Sequence, residues 1–315
     1  MLNSFPPLPL LTLETIPTQR AALDTISTPE TTVALDPQIT LSTQSIPGPG
    51  GEIPLSILRS KTSASTPRPA ILYLHGGGLL LGNALFGIGQ TFPWISALDA
   101  VLISVDYRLA PEHVFPGAIE DCYAALLYIA ANAEKLGIDP EKIFVAGHSA
   151  GGGLAVALTL MARDRKGPKL CGLCAIYPML DDRMQSVSSQ QYMREGTWSG
   201  LNNIQAWDMY LPGIRGSKDV SPYAAPARAE DVSGFPPTWI DVGGAELFRD
   251  EDLAFARRLM EVGTSVEVHV WPGSWHGSDG IVPAAKVSVS TNRTRVAWFV
   301  RVAEQLEAGK VVTKL

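Results

Sequence analysis

Short apolar runs alternate with stretches of helical spacing along most of this chain. From residue 70 onward the runs AILYL, VLISVDY, IFVAG and CGLCAIYP are separated by helical segments, one over residues 118–132 and one from 150 to about 163. Parallel strands need long crossovers, so a strand, helix, strand rhythm predicts βαβ units and an α/β fold with a mostly parallel sheet covered on both faces. Residues 181–235 break the rhythm with Met184, Met193, Trp198, Trp207, Met209, Tyr210, Pro212 and Pro222, and read as an insertion. The rhythm resumes with PTWIDVG, a helix over 250–261, the strand SVEVHVW and a terminal helix over 292–305. Before residue 68 the chain is rich in Pro, Thr and Ser, which fits an N-terminal arm and leading strands.

Composition narrows the partners. With 46% hydrophobic residues in 315, the chain can bury a large core. It carries 25 Lys and Arg against 31 Asp and Glu, net −6, without the basic patch that phosphate backbones require, so nucleic acid is not an expected partner. No run approaches the roughly 18 apolar residues of a spanning helix, so no stable membrane insertion is expected. Residues 1–13 lack a cationic start and contain Pro6, Pro7 and Pro9, unlike a secretory signal, and the expected location is cytoplasmic. Thr313-Lys314-Leu315 differs from a peroxisomal Ser-Lys-Leu address in its first residue and leaves that compartment as the weaker alternative. Asn292-Arg293-Thr294 fits a glycosylation sequon and is read as a helix start. Cys122, Cys171 and Cys174 are too few for a disulfide framework. The C-x-x-C at 171–174 falls in a strand-like run, where a spacing of three sends side chains to opposite faces, so no metal is assigned to it. Asp99, Asp164, Asp181, Asp182 and Asp219 are read as surface or turn residues.

The strongest chemical signal is Gly147-His148-Ser149-Ala150-Gly151, set between the strand IFVA and an apolar helix. A serine at a sharp strand-to-helix turn needs small neighbours, and its hydroxyl projects at the positive end of the helix. His75-Gly76-Gly77-Gly78 follows another strand. Acyl transfer passes through a tetrahedral oxyanion, which open backbone N–H groups stabilise; Gly76 and Gly77 with Ala150 are the expected donors. The nucleophile needs a base. Of the five histidines, His75 and His148 belong to these loops, His269 lies within a strand and His113 in a Pro-flanked loop. His276 remains, on a loop after the strand SVEVHVW, where open α/β sheets place their sites. The third member is a carboxylate after the preceding strand; Glu246 is preferred and Asp250 is the competitor. The order Ser149, Glu246, His276 is that of α/β-hydrolases.

Together with Asp106-Tyr107-Arg108-Leu109-Ala110-Pro111-Glu112, these motifs resemble the hormone-sensitive-lipase branch of α/β-hydrolase carboxylesterases over roughly residues 50–305. The resemblance implies an α/β-hydrolase fold and a cofactor-free serine esterase acting on a small-molecule ester. It also implies that the Asp-Tyr-Arg-Leu segment buttresses the oxyanion loop and that arm and insertion form a cap. The division is then an arm over 1–45, a catalytic domain over 46–180 and 236–315, and a cap insertion over 181–235. Two departures stand out: Glu246 where Asp is common, and Ser278 where an aromatic residue often stands. Trp198, Trp207, Met209, Tyr210 and Leu211 are expected either to line the substrate pocket or to form the insertion's own core. Short-to-medium acyl esters are the expected substrates. An acyltransferase, lactonase or amidase with the same triad, or a catalytically silent receptor, are the alternatives, and the oligomeric state stays open, a homodimer included.

Overall fold

The apolar runs assemble into one sheet. A computed structural model describes residues 8–62 and 67–309. Strands β1 (Ile39–Gly48), β2 (Gly51–Ser60), β3 (Arg68–Leu74), β4 (Val101–Val105), β5 (Ile138–His148), β6 (Gly172–Ile176), β7 (Thr238–Gly243) and β8 (Val266–Trp271) lie in the order β1-β2-β4-β3-β5-β6-β7-β8. The β1–β2 and β2–β4 pairs are antiparallel and the remaining five are parallel. The helices are α1 (Ile16–Ile26), α2 (Pro29–Leu35), α3 (Phe92–Leu98), α4 (Gly117–Ala131), α5 (Ala133–Leu136), α6 (Ala150–Asp164), α7 (Val187–Gln191), α8 (Gly200–Tyr210), α9 (Arg249–Glu261), α10 (Ser278–Ile281) and α11 (Lys286–Glu307).

Central strands β4, β6 and β7 are buried at every position, which explains why they read as unbroken apolar runs rather than as alternation. At the edge, β8 stays half-exposed and carries Glu267, which pairs with Arg301 and His269; charge on an edge strand opposes sheet-to-sheet association. The strand order reverses between β3 and β5, and register sets Leu74 beside Gly147. The loops leaving these two strands therefore open at a topological switch point, where α/β sheets form their crevice.

Several local expectations change in three dimensions. β1 begins at Ile39, so the strand starts within the span read as an arm. The terminal helix α11 starts at Lys286, which puts Asn292 inside the helix, where its Oδ1 accepts a hydrogen bond from Arg295 rather than capping a start. Asp182 is fully buried, because Arg228 neutralises it at 2.5 Å and the Gly216 N–H donates to it at 2.6 Å. Cys171 and Cys174 are buried, and burial raises both thiols above their ordinary range. Among the described residues no helix is long and apolar enough to cross a membrane. Thr313-Lys314-Leu315 and the start of the arm, with Pro6 and Pro7, lie outside the described residues.

The arm and the insertion meet over the carboxyl edge of the sheet. Arg20 of α1 donates to the carbonyls of Leu80 and Ala110, both at 2.8 Å, and holds Glu112 through two bonds of 2.9 Å. Asn202 of α8 accepts the Leu11 N–H at 2.9 Å. Trp207, Tyr210 and Leu211 are buried in the common core of the chain, Tyr210 edge-on to Phe115, and do not face the cavity below, and of the five candidates only Trp198 lines it.

Candidate active site

Ser149 sits between β5 and α6 at φ 58° and ψ −125°, a strained conformation for a residue with a side chain. The flanking glycines permit the turn. A β-carbon at Gly151 would stand 2.1 Å from the Leu74 carbonyl oxygen, and one at Gly147 would stand 2.3 Å from that of Gly151. The hydroxyl thereby faces the loops that follow β7 and β8. His276 Nε2 lies 2.9 Å from Ser149 Oγ, and His276 Nδ1 lies 3.2 Å from Glu246 Oε1. Asp250 instead accepts the Ser188 N–H at 2.7 Å and pairs with Arg249 at 2.8 Å. Burial raises the Glu246 carboxyl, while His276 and the Gly243 N–H favour its charged form. Two rings hold the imidazole edge-on: Tyr177 at 4.8 Å and Phe248 at 5.1 Å.

The two loop histidines are structural hydrogen-bonders. His75 Nδ1 lies 2.7 Å from the Gly76 carbonyl, its ring stacks on Tyr107 at 4.1 Å, and the Tyr107 hydroxyl donates to the His75 carbonyl at 2.6 Å. His148 Nδ1 pairs with the Tyr73 hydroxyl at 2.5 Å. Burial pushes the pKa of His75 down to about 4 and that of His148 to about 3, so both rings are neutral near pH 7. The segment after β4 braces the glycine loop further: Ala110 N–H donates to the Leu79 carbonyl at 3.0 Å, and Arg108 is anchored on Asp121 at 2.8 Å.

Sequence reasoning missed a second, buried network behind His276. Tyr177 donates to Asp279 Oδ1 at 3.1 Å, Asp279 pairs with Arg295, and Arg295 pairs with Asp241 at 2.8 Å. Trp239 and Trp271 add indole N–H bonds to Asp241 at 2.9 and 2.8 Å. Burial alone would raise the Asp279 carboxyl; the Arg295 guanidinium outweighs it and holds the group below its usual range. The nearest signal in the sequence was Asp279 itself, three residues after His276. Its partner on α11 could be found only by folding the chain. The insertion contributes as well: Thr197 donates its hydroxyl to the His276 carbonyl, and Trp198 lies over Gly78 with its N–H on Asn203 at 3.1 Å.

Below Glu246, α9 turns two more acids inward. Glu251 accepts the N–H groups of Leu180 and Asp181 at 2.8 and 3.1 Å, fixing the chain as it leaves β6. Asp252 is fully buried, and neither of its oxygens has a hydrogen-bond partner. Burial pushes its carboxyl well above the ordinary range, and Glu251, Glu246 and Asp241 act in the same direction. An acid with a raised folded pKa gives its stability below the unfolded value of about 4 and loses it as pH rises towards the folded value. Asp252→Asn removes that dependence. In urea unfolding at pH 5, 7 and 9, the variant should gain on the wild type as pH rises, by up to about 1.4 kcal/mol per unit. A difference independent of pH would mean that Asp252 ionises as freely in the folded chain as in the unfolded one.

Ser149 and His276 face a cavity of about 680 Å³ lined by α1, α2, the loop after β3 and the segments around Trp198 and His276. This fold and site define the class. A profile described as alpha/beta hydrolase fold matches residues 71–279, and the chain belongs to that family, in its hormone-sensitive-lipase-like carboxylesterase branch. It is 35% identical to the esterase LipI of Mycobacterium tuberculosis over 266 residues, 83% of this chain and 82% of that one. It is 36% identical to the carboxylesterase NlhH of the same species, covering 69% of each. Among solved structures, a bacterial heroin esterase superposes with a TM-score of 0.85 at 36% identity over 94% of both chains. A hyperthermophilic esterase from Pyrobaculum calidifontis gives 0.84 at 31% identity over 91% of this chain and 94% of that chain.

Proposed function

We propose that the chain is a serine carboxylesterase that hydrolyses short-to-medium acyl esters through an acyl-enzyme. The observation that carries this reading is the continuous line from Ser149 Oγ through His276 to Glu246, with bonds of 2.9 and 3.2 Å. His276 Nε2 takes the serine proton as Oγ attacks the ester carbonyl, and Glu246 holds the ring and stabilises the imidazolium. The N–H groups of Gly76, Gly77 and Ala150 receive the oxyanion. As the tetrahedral adduct collapses, His276 gives the proton to the departing alcohol. Water then attacks the acyl-enzyme with the same assistance and releases the acid. The kinship with proteins named as esterases supports the reaction class.

The assignment of the acid is tested by comparing two variants on p-nitrophenyl butyrate. Glu246→Ala should lower kcat by about four orders of magnitude, as loss of a triad carboxylate does in serine proteases. Asp250→Ala should keep kcat within about tenfold and mainly reduce stability, since it loses the bonds to Ser188 and Arg249. The reverse pattern would transfer the role to Asp250.

A further inference from the structure

The described wall of the cavity holds no carboxylate, ammonium or guanidinium group. Among the described residues that line it there is no Asp, Glu, Lys or Arg; its polar side chains, apart from the histidines, Ser149 and Tyr177, are Gln19, Ser27, Thr31, Thr32, Gln90 and Thr197. His148, which also lines it, is held neutral by burial, with a pKa of about 3. A charged substrate group entering this space would lose its hydration without meeting a counter-ion, which is unfavourable by far more than the loss of a neutral contact.

Several polar side chains of that wall, Gln19 and Gln90 among them, make no hydrogen bond among the described residues, and Gln90 is the one of these set against the loop that follows His276. Thr31 and Thr197 direct their hydroxyls onto the backbone carbonyls of Ile26 and His276, whereas the Gln90 side-chain amide makes no hydrogen bond among the described residues. It lies close to Gly280 and within van der Waals reach of Gly87. A β-carbon at Gly280 would stand 2.4 Å from Gln90 Nε2, and one at Gly87 would stand 3.9 Å from Nε2 and 3.4 Å from His148 Nε2. The amide thus rests against the backbone that follows His276. In the reaction proposed above, His276 returns its proton to the departing oxygen, so the alcohol half of the ester lies against this same loop.

We propose that Gln90 is a specificity-determining residue of the alcohol subsite, and that the site takes a neutral ester whose alcohol carries an uncharged hydrogen-bonding group. The inference rests on the esterase reading. An amide that is stripped of water by a hydrocarbon loses its partners, whereas an ether, carbonyl or hydroxyl oxygen replaces them.

Isosteric butyrate esters test this with the wild-type chain, Gln90→Leu and Gln90→Glu. The first pair is tetrahydrofurfuryl butyrate and cyclopentylmethyl butyrate, which differ by one ring oxygen for a methylene. The second pair is choline butyrate and 3,3-dimethylbutyl butyrate, which differ by a positive charge at constant shape. The readout is the ratio of kcat/KM within each pair, which is unaffected by the fraction of a variant that folds. In the wild type the ether should be preferred about three- to tenfold, the increment of one neutral hydrogen bond. Gln90→Leu should bring that ratio to about one. The choline ester should be the poorer member of its pair by at least about tenfold, the penalty of an unpaired charge, and Gln90→Glu should raise its relative rate. A wild-type ether ratio of one, an ether preference that survives Gln90→Leu, or equal rates on the choline pair would each overturn the proposal while leaving the esterase reading intact. If the wild type hydrolyses none of the four esters nor p-nitrophenyl butyrate, the esterase reading falls and this inference falls with it.

Discussion

Ser149→Ala should reduce kcat on p-nitrophenyl butyrate by about six orders of magnitude, with fluorophosphonate labelling of the protein lost at the same time. The magnitude follows from the subtilisin precedent, in which removing the nucleophile alone is about as damaging as removing the whole triad. The physical reason is that His276 Nε2, 2.9 Å from Oγ in the wild type, has no proton to take once the oxygen is gone. The residual rate then comes from the oxyanion donors and from binding. Because Ser149 is 5% exposed and its backbone bonds to Ile176 and Met179 do not involve the side chain, the variant should unfold in urea close to the wild-type midpoint. Comparable hydrolysis by both proteins, or labelling that persists in the variant, would remove Ser149 from the reaction.

The second large effect is on stability. Arg295→Met should lower the unfolding free energy by about 3–5 kcal/mol, the usual consequence of leaving a buried charge without its partner. Two carboxylates would be stranded, since Asp241 is fully buried and Asp279 nearly so. The indole donors of Trp239 and Trp271 and the Tyr177 hydroxyl remain, but neutral hydrogen bonds replace a guanidinium poorly. Adding Asp241→Asn and Asp279→Asn to Arg295→Met should recover a substantial part of the loss, because the charges that need solvation have then gone. Urea unfolding of the wild type, the single and the triple variant decides the matter. A single variant within about 1 kcal/mol of the wild type, the scale of an exposed ion pair, would show that the pairing is solvated rather than buried.

Much of the fold was legible along the chain. Continuous apolar runs mean strands buried on both faces, and those strands proved to be the central parallel ones. The glycines around Ser149 were legible for the same kind of reason: close approach of Leu74 and Gly151 backbone leaves no space for a β-carbon, a constraint that a sequence can satisfy only with glycine. His276 followed by elimination among few histidines. The N-terminal helices were less clear, because α1 and α2 are Pro-initiated, largely exposed and set in a stretch rich in Thr and Pro.

What the sequence determined by itself is therefore local: strand type, turn chemistry, and which residue types are capable of nucleophilic and proton-transfer roles. Only the tertiary structure decided between Glu246 and Asp250 as neighbour of His276. Both sit near the start of one helix, and the direction of the loop after β7 turns the first towards the imidazole and the second towards Ser188. The same holds for Asp182, Asp252 and the pairing of Arg295 with Asp241 and Asp279, and for the division of the insertion's aromatics between cavity and core. A charged or aromatic side chain has the same propensity in either setting. Its burial and its partner depend on contacts between segments far apart in sequence, and those distances exist only once the sheet has brought its carboxyl ends together.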